Sequence, residues 1–185
     1  MGATTELTAL IAAGSLTAFA LAARALGRGT DPYRLAAGGA LLGLGAFAAV
    51  ILAAPLASPL LFRCGSYAIG FSSGLFGVGT LTAAMALDRG SRVGLALGAW
   101  GAAQATAGGV AIAASGALRD LFGNLAQHGS LGPALTGPEV GYGAVYHIEL
   151  LLLFATLIAI GPLVRTSASA SGVSTTKFGL AELPG

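Results

Sequence analysis

From Gly141 to Arg165 the chain reads GYGAVYHIELLLLFATLIAIGPLVR, an apolar run with two ionisable side chains, His147 and Glu149, near its start and an arginine at its end. Few folds can hold such a stretch. A helix crossing roughly 30 Å of hydrocarbon needs about 20 mostly apolar residues, and residues 140–164 supply them. Tyr142 and Tyr146 lie at one end, where amphipathic rings favour the membrane–water boundary, and Arg165 closes the other, within reach of the headgroups. The run therefore predicts a transmembrane helix with Tyr142, Tyr146 and Arg165 as interface anchors.

The rest of the chain repeats this pattern. Hydrophobic residues make up 55% of the 185 and charged residues only 9%, against about 25% charged in a soluble domain. The charges cluster between long uncharged runs, as in a polytopic membrane protein. Spans are expected at about 6–23, 35–54, 64–87, 93–118 and 140–164. Pro55 and Pro59 are read as a break after the second, since proline removes a backbone donor. The connection from Asp88 to Arg92 is short enough to force an antiparallel hairpin. The polar interval Arg119 to Glu139 either continues the fourth helix in its first half or lies along the interface. Residues 166–185, rich in Ser, Thr, Ala and Gly, are expected to form a disordered tail. No basic n-region precedes the first apolar run, so a cleaved leader is not expected.

Orientation follows from the cations. Arg24, Arg28, Arg34, Arg89, Arg92, Arg165 and Lys177 fall on one side of a five-span arrangement, and Arg63 and Arg119 on the other. Short basic loops stay in the cytoplasm, which places the N-terminus in the periplasm and the C-terminus in the cytoplasm. The small net charge of +2, without a basic run interleaved with aromatics, gives no nucleic-acid surface. Cys64 is the single cysteine, so an intramolecular disulfide and a cysteine-based metal cluster are excluded, and it reads as a small apolar filler.

Glycine would weaken a soluble helix by about 1 kcal/mol relative to alanine. In a bilayer it lets backbones approach. Gly39 with Gly43, Gly70 with Gly74, and Gly94 with Gly98 stand four apart, the spacing of close helix pairs, and are expected to be packing faces within the chain or toward a partner. Ionisable groups within spans are costly and face a cavity or a partner. His147 and Glu149, two residues apart, point about 200° from each other and do not form one site by themselves. Two readings stand for them: groups wetted or paired near the interface, or, for His147, a neutral imidazole serving as axial ligand to a magnesium tetrapyrrole. Gln104, one turn after Trp100, is expected to hydrogen-bond across helices. Gly43 with Gly45 and Gly77 with Gly79 lack the strand-to-helix context of a nucleotide fingerprint. No nucleophile, base and orienting acid cluster, so an enzyme is not expected.

Four segments carry a resemblance: GRGTDPYRLAAGG (Gly27 to Gly39), GLFGVGTLTAAMALDRG (Gly74 to Gly90), GLALGAWGAAQATAGG (Gly94 to Gly109) and GPALTGPEVGYGAVYHIELLLLFATLIAIGPLVR (Gly132 to Arg165). In these the chain resembles the C-terminal part of the PucC and LhaA type of light-harvesting complex assembly proteins, the bacteriochlorophyll-delivery branch of the major facilitator superfamily. The resemblance implies an all-α polytopic fold, like the last five helices of a twelve-helix protein with both ends cytoplasmic. It agrees with the orientation given by the arginines. It also implies a photosynthetic intracytoplasmic (bacterial inner) membrane, with antenna α/β polypeptides or the reaction-centre complex, lipids and pigment as partners, and bacteriochlorophyll as the cofactor. Two functions follow: an accessory protein that packs on those complexes as assembly factor or bound subunit, or a pigment carrier completed by a separate N-terminal half, with His147, Gln104 and Glu149 lining its site. A transporter of this class rocks two bundles about a midplane site, so five helices alone are not expected to act as a free-standing carrier.

Overall fold

The computed structural model describes residues 3–87, 93–137 and 139–172. Those residues form α1 (Ala3–Gly27), α2 (Pro32–Ala53), α3 (Pro59–Ala86), α4 (Val93–Gln127) and α5 (Glu139–Gly172), with no strand among them. All five are long and apolar enough to cross a bilayer. Closing every backbone hydrogen bond inside a helix is one of the two ways a chain can cross hydrocarbon, and the chain is a multi-pass all-α membrane protein.

Proline starts two of these helices. Asp31 caps α2 by accepting the Arg34 N–H at 3.0 Å, with Pro32 in the first turn. Ser58 does the same for α3 with the Leu61 N–H at 3.3 Å, followed by Pro59. A first-turn residue needs no donor, so proline costs nothing there. This corrects the reading of Pro59 as part of a break: α3 opens at it, five residues ahead of Cys64, and α2 opens three residues ahead of Leu35. Arg63 consequently lies inside α3, and Cys64 is free and exposed on that helix rather than an apolar filler.

At their far ends α1 and α4 close in the same way. The Thr30 N–H reaches the Ala25 carbonyl across Gly29 at φ +85°, and the Ser130 N–H reaches the Leu125 carbonyl across Gly129 at φ +68°. A left-handed residue after the last turn satisfies carbonyls the helix leaves open. Between α2 and α3 the Ser58 N–H donates to the Ala53 carbonyl in the same arrangement, but the left-handed position, φ 45°, is held by Ala57. The first half of the Arg119–Glu139 interval continues α4, and α5 runs on to Gly172, past the Arg165 end expected for it and into the segment read as a disordered tail. Residues 173–185, the remainder of that tail, and the Asp88–Arg92 connection lie outside the described residues.

α3 is the centre of the packing. α1 lies parallel to it, with the Glu6–Arg63 ion pair (2.8 Å) near the helix starts and Ala18 against Gly74 further along. α2 lies antiparallel, Val50 meeting Gly65 and Ala36 meeting Gly79. Ala18, Ala22, Leu35 and Leu75 form the buried cluster these three helices share. α5 packs against α2 on the side where Leu153 meets Gly43, and Phe47 and Tyr146 stack tilted with ring centres 6.1 Å apart. α4 is attached near its ends. The Trp100 Nε1–H donates to Thr80 Oγ1 of α3 at 3.3 Å, and Gly141 of α5 sits against the Arg119 carbonyl.

Candidate functional site

Four of the six packing glycines meet a neighbour inside the chain. A side chain at Gly70 would collide with the Ile11 backbone, and one at Gly74 with Ala18 and Ser15. At Gly39 an added Cβ would lie 2.7 Å from the Phe76 nitrogen and 2.8 Å from the Ser72 carbonyl, whereas at Gly43 the nearest atoms belong to the Leu153 side chain at 3.3 Å. The close approach is used for hydrogen bonding: the Ser15 hydroxyl donates to the Gly70 carbonyl across α1 and α3 at 3.0 Å. Beside it, Thr17 Oγ1 donates to the Gly14 carbonyl at 2.8 Å, so the Tyr67 hydroxyl supplies the hydrogen in their 2.6 Å contact.

Gly94 and Gly98 behave differently. Nothing lies within 4 Å of a side chain built on either, and the same holds for Gly101, Gly108, Gly109, Gly116 and Gly123. Among the described residues these two pack against nothing within the chain. Every residue of α4 from Ala102 to Ala114 is exposed, on all sides of the helix. Gln104 lies in that stretch and, among the described residues, does not make the cross-helix hydrogen bond expected of it.

Other close approaches were missed by a four-residue glycine spacing. Gly65 and Gly79 lie five residues before Gly70 and five after Gly74, yet both are buried against α2. Gly14 meets the Tyr67 carbonyl, and it starts the series Gly14, Ala18, Ala22. Counting alanine among the small residues would have exposed that face of α1.

On α5 the polar residues separate as their rotation requires. His147 is exposed, and its Nδ1 lies 2.7 Å from the Gly143 carbonyl. A carbonyl oxygen only accepts, so Nδ1 carries the proton and the lone pair of the neutral ring resides on Nε2. Glu149 is half-buried on the other side, without a hydrogen bond or ion pair among the described residues. His147, Glu149 and Gln104 share no hydrogen bond, and no group of three His, Cys, Asp or Glu capable of holding a metal ion occurs among the described residues. Of the anchor residues, Tyr142 is exposed beneath the Arg119 guanidinium, 5.6 Å from ring centre, and Arg119 also pairs with Asp120 at 2.7 Å. Tyr146 is a packing residue against Phe47, and Arg165 borders a shallow groove with Leu157, Ile158, Gly161 and Pro162.

The comparisons with known proteins agree on one kinship. The family described as PUCC protein matches residues 1–168. A Rhodobacter capsulatus protein described as an uncharacterized protein in the puhA-bchM intergenic region is 45% identical over 187 residues, covering 100% of this chain and 39% of its own length. Protein PucC of Cereibacter sphaeroides is 47% identical over 169 residues, 90% of this chain and 35% of the relative, and Protein PucC of Rhodobacter capsulatus 42% over 167 residues, 89% and 35%. The chain thus spans little more than a third of the length of these three relatives. No solved structure matches it significantly.

Proposed function

The chain belongs to the PUCC protein family, and on that premise we propose that it is an accessory protein of the bacterial photosynthetic membrane. Its work is helix packing against light-harvesting α/β polypeptides or the reaction-centre complex, as an assembly factor or a bound subunit, with no reaction of its own. The observation that carries this reading is the state of α4, exposed on every side from Ala102 to Ala114 and lined with glycines that meet nothing. Lipid tails gain little from a surface of glycine and alanine. Another helix gains close backbone approach, and Gln104 near the start of the stretch offers it a hydrogen bond.

In this reading the N-terminus is periplasmic and the C-terminus cytoplasmic, the intracytoplasmic membrane is the home, and Tyr142 and Arg165 set the depth of α5. The test is capture of a tagged chain from gently solubilised photosynthetic membranes, followed by mass spectrometry. Antenna or reaction-centre polypeptides in stoichiometric amount support the proposal. A chain that emerges free of both ends it.

A further inference from the structure

Where the last turns of α4 meet the first turn of α5, a polar cleft of about 310 Å³ opens, lined by Arg119, Asp120, Gly123, Asn124, Gln127 and Tyr142. Its size falls at the lower end of small-molecule sites, about 300–1,000 Å³. Asp120, Gly123, Asn124 and Gln127 stand three and four residues apart on one face of α4. Nothing lies within 4 Å of a side chain built on Gly123, so the middle of that face is open. Depth fixes the surroundings. From Tyr142 to Arg165, α5 rises about 35 Å, against about 30 Å of hydrocarbon. The two residues therefore bracket the apolar layer, and the Arg119 guanidinium, 5.6 Å from the centre of the Tyr142 ring, stands at headgroup level. Its Nε and Nη2 both donate to one oxygen, Asp120 Oδ1, at 3.0 and 2.7 Å. That uses two of the five guanidinium N–H groups and one of the two carboxylate oxygens, so donors and an acceptor remain side by side. The side chains of Asn124 and Gln127, both exposed, hydrogen-bond to nothing among the described residues.

A ligand carrying one sign of charge meets its own sign in this cleft: an anion faces the Asp120 carboxylate, and a cation faces the Arg119 guanidinium. A zwitterion with its two charges close together is matched by both. We propose that the cleft binds the headgroup of an ethanolamine phospholipid. Its phosphate accepts hydrogen bonds from Arg119, Asn124 and Gln127, and its ammonium donates to Asp120 Oδ2. A trimethylammonium has no N–H to give that oxygen, which disfavours choline, and a headgroup with phosphate alone leaves Asp120 opposite an anion. The bound lipid ties the last turns of α4 to α5 at one of the two places where α4 is attached, the other being the bond from Trp100 to Thr80. The cleft lies outside the open stretch from Ala102 to Ala114, so the inference goes beyond the packing proposal and stands without it.

The tagged full chain is washed free of native lipid in mild detergent and reconstituted into vesicles of phosphatidylethanolamine, phosphatidylcholine and phosphatidylglycerol in equal parts. Lipid that stays on the chain after gentle re-extraction is then identified and counted by native mass spectrometry. One phosphatidylethanolamine per chain is expected, preferred over each of the others by up to about fivefold, the scale of exposed charge contacts. Asp120→Asn removes the carboxylate and keeps the side-chain shape, so phosphatidylglycerol should rise to the level of phosphatidylethanolamine or above it. Gly123→Leu fills open space without touching either charge, and should lower retained phosphatidylethanolamine while leaving the helical content of the chain unchanged. Equal retention of the three lipids by the wild type, or an unchanged preference in Asp120→Asn, overturns the inference. Displacement of the lipid by an equal concentration of soluble phosphoethanolamine overturns the lipid assignment and gives the cleft to a free zwitterion.

Discussion

α3 and α4 are both glycine-rich spans, and they use glycine in opposite ways. Along α3, Gly65, Gly70, Gly74 and Gly79 are buried, and at each a side chain would meet α1 or α2, the backbone standing nearest at Gly70 and Gly79 and the Val50 and Ala18 side chains at Gly65 and Gly74. Along α4 seven glycines meet nothing within 4 Å. In α3 the missing side chains are what lets α1 and α2 close on one helix and lets Ser15 reach the Gly70 carbonyl. In α4 the same absence leaves a smooth surface that meets no partner among the described residues. Glycine within a span therefore permits contact, and whether contact occurs is decided by what stands opposite.

The comparison breaks most sharply at Gly70. Gly70→Leu forces α1 away from α3, because the obstacle is the Ile11 backbone rather than a side chain able to rotate. Overpacking of this kind costs typically 1–3 kcal/mol and more when backbone must move. We expect a large fall in membrane-inserted protein and in resistance to denaturing detergent; unchanged resistance would mean the α1–α3 approach does not hold the fold. Gly108→Leu on α4 is the counterpart. It should leave that resistance within about 0.5 kcal/mol, as for a surface change, while reducing captured antenna or reaction-centre polypeptides several-fold. Equal capture would show that the open face of α4 is not where the partner binds.

Smaller effects sharpen the contrast. Tyr67→Phe removes the hydroxyl that donates to Thr17 at 2.6 Å, and interhelical hydrogen bonds of this sort average about 0.6 kcal/mol in a bilayer. The loss should be measurable in α1–α3 and absent for Gln104→Leu when the isolated chain is unfolded. Glu6→Gln breaks the ion pair with Arg63, whose side chains are 50% and 55% exposed; such pairs contribute about 0.2–1 kcal/mol. A change beyond that range on double substitution with Arg63→Gln would show the pair to be shielded from water.

Much of the fold was legible from the chain alone, and for a local reason: a span must satisfy its own backbone, so each helix announces itself in consecutive residues. Less legible were the starts of α2 and α3, because Pro59 reads as part of a break and the second span as starting only at Leu35, until Asp31 and Ser58 are seen capping the turns that contain Pro32 and Pro59. Ala57 in a left-handed turn carried no signal, since glycine ordinarily marks that conformation. On α5 the opposite directions of His147 and Glu149 followed from helix geometry. The commitment of Nδ1 to Gly143 did not, because rotamer and surroundings choose among the partners a ring nitrogen can take.

What the sequence determined by itself is the number of apolar spans, the asymmetry of the arginines and the family, all properties summed along the chain without reference to what touches what. The use of each glycine face was decided only by the tertiary structure. Gly39 with Gly43, Gly70 with Gly74, and Gly94 with Gly98 share one spacing, yet the first two pairs meet neighbouring helices and the third meets nothing among the described residues. A four-residue repeat says that a helix has a smooth side. Which neighbour, if any, lies against that side depends on the arrangement of all five helices.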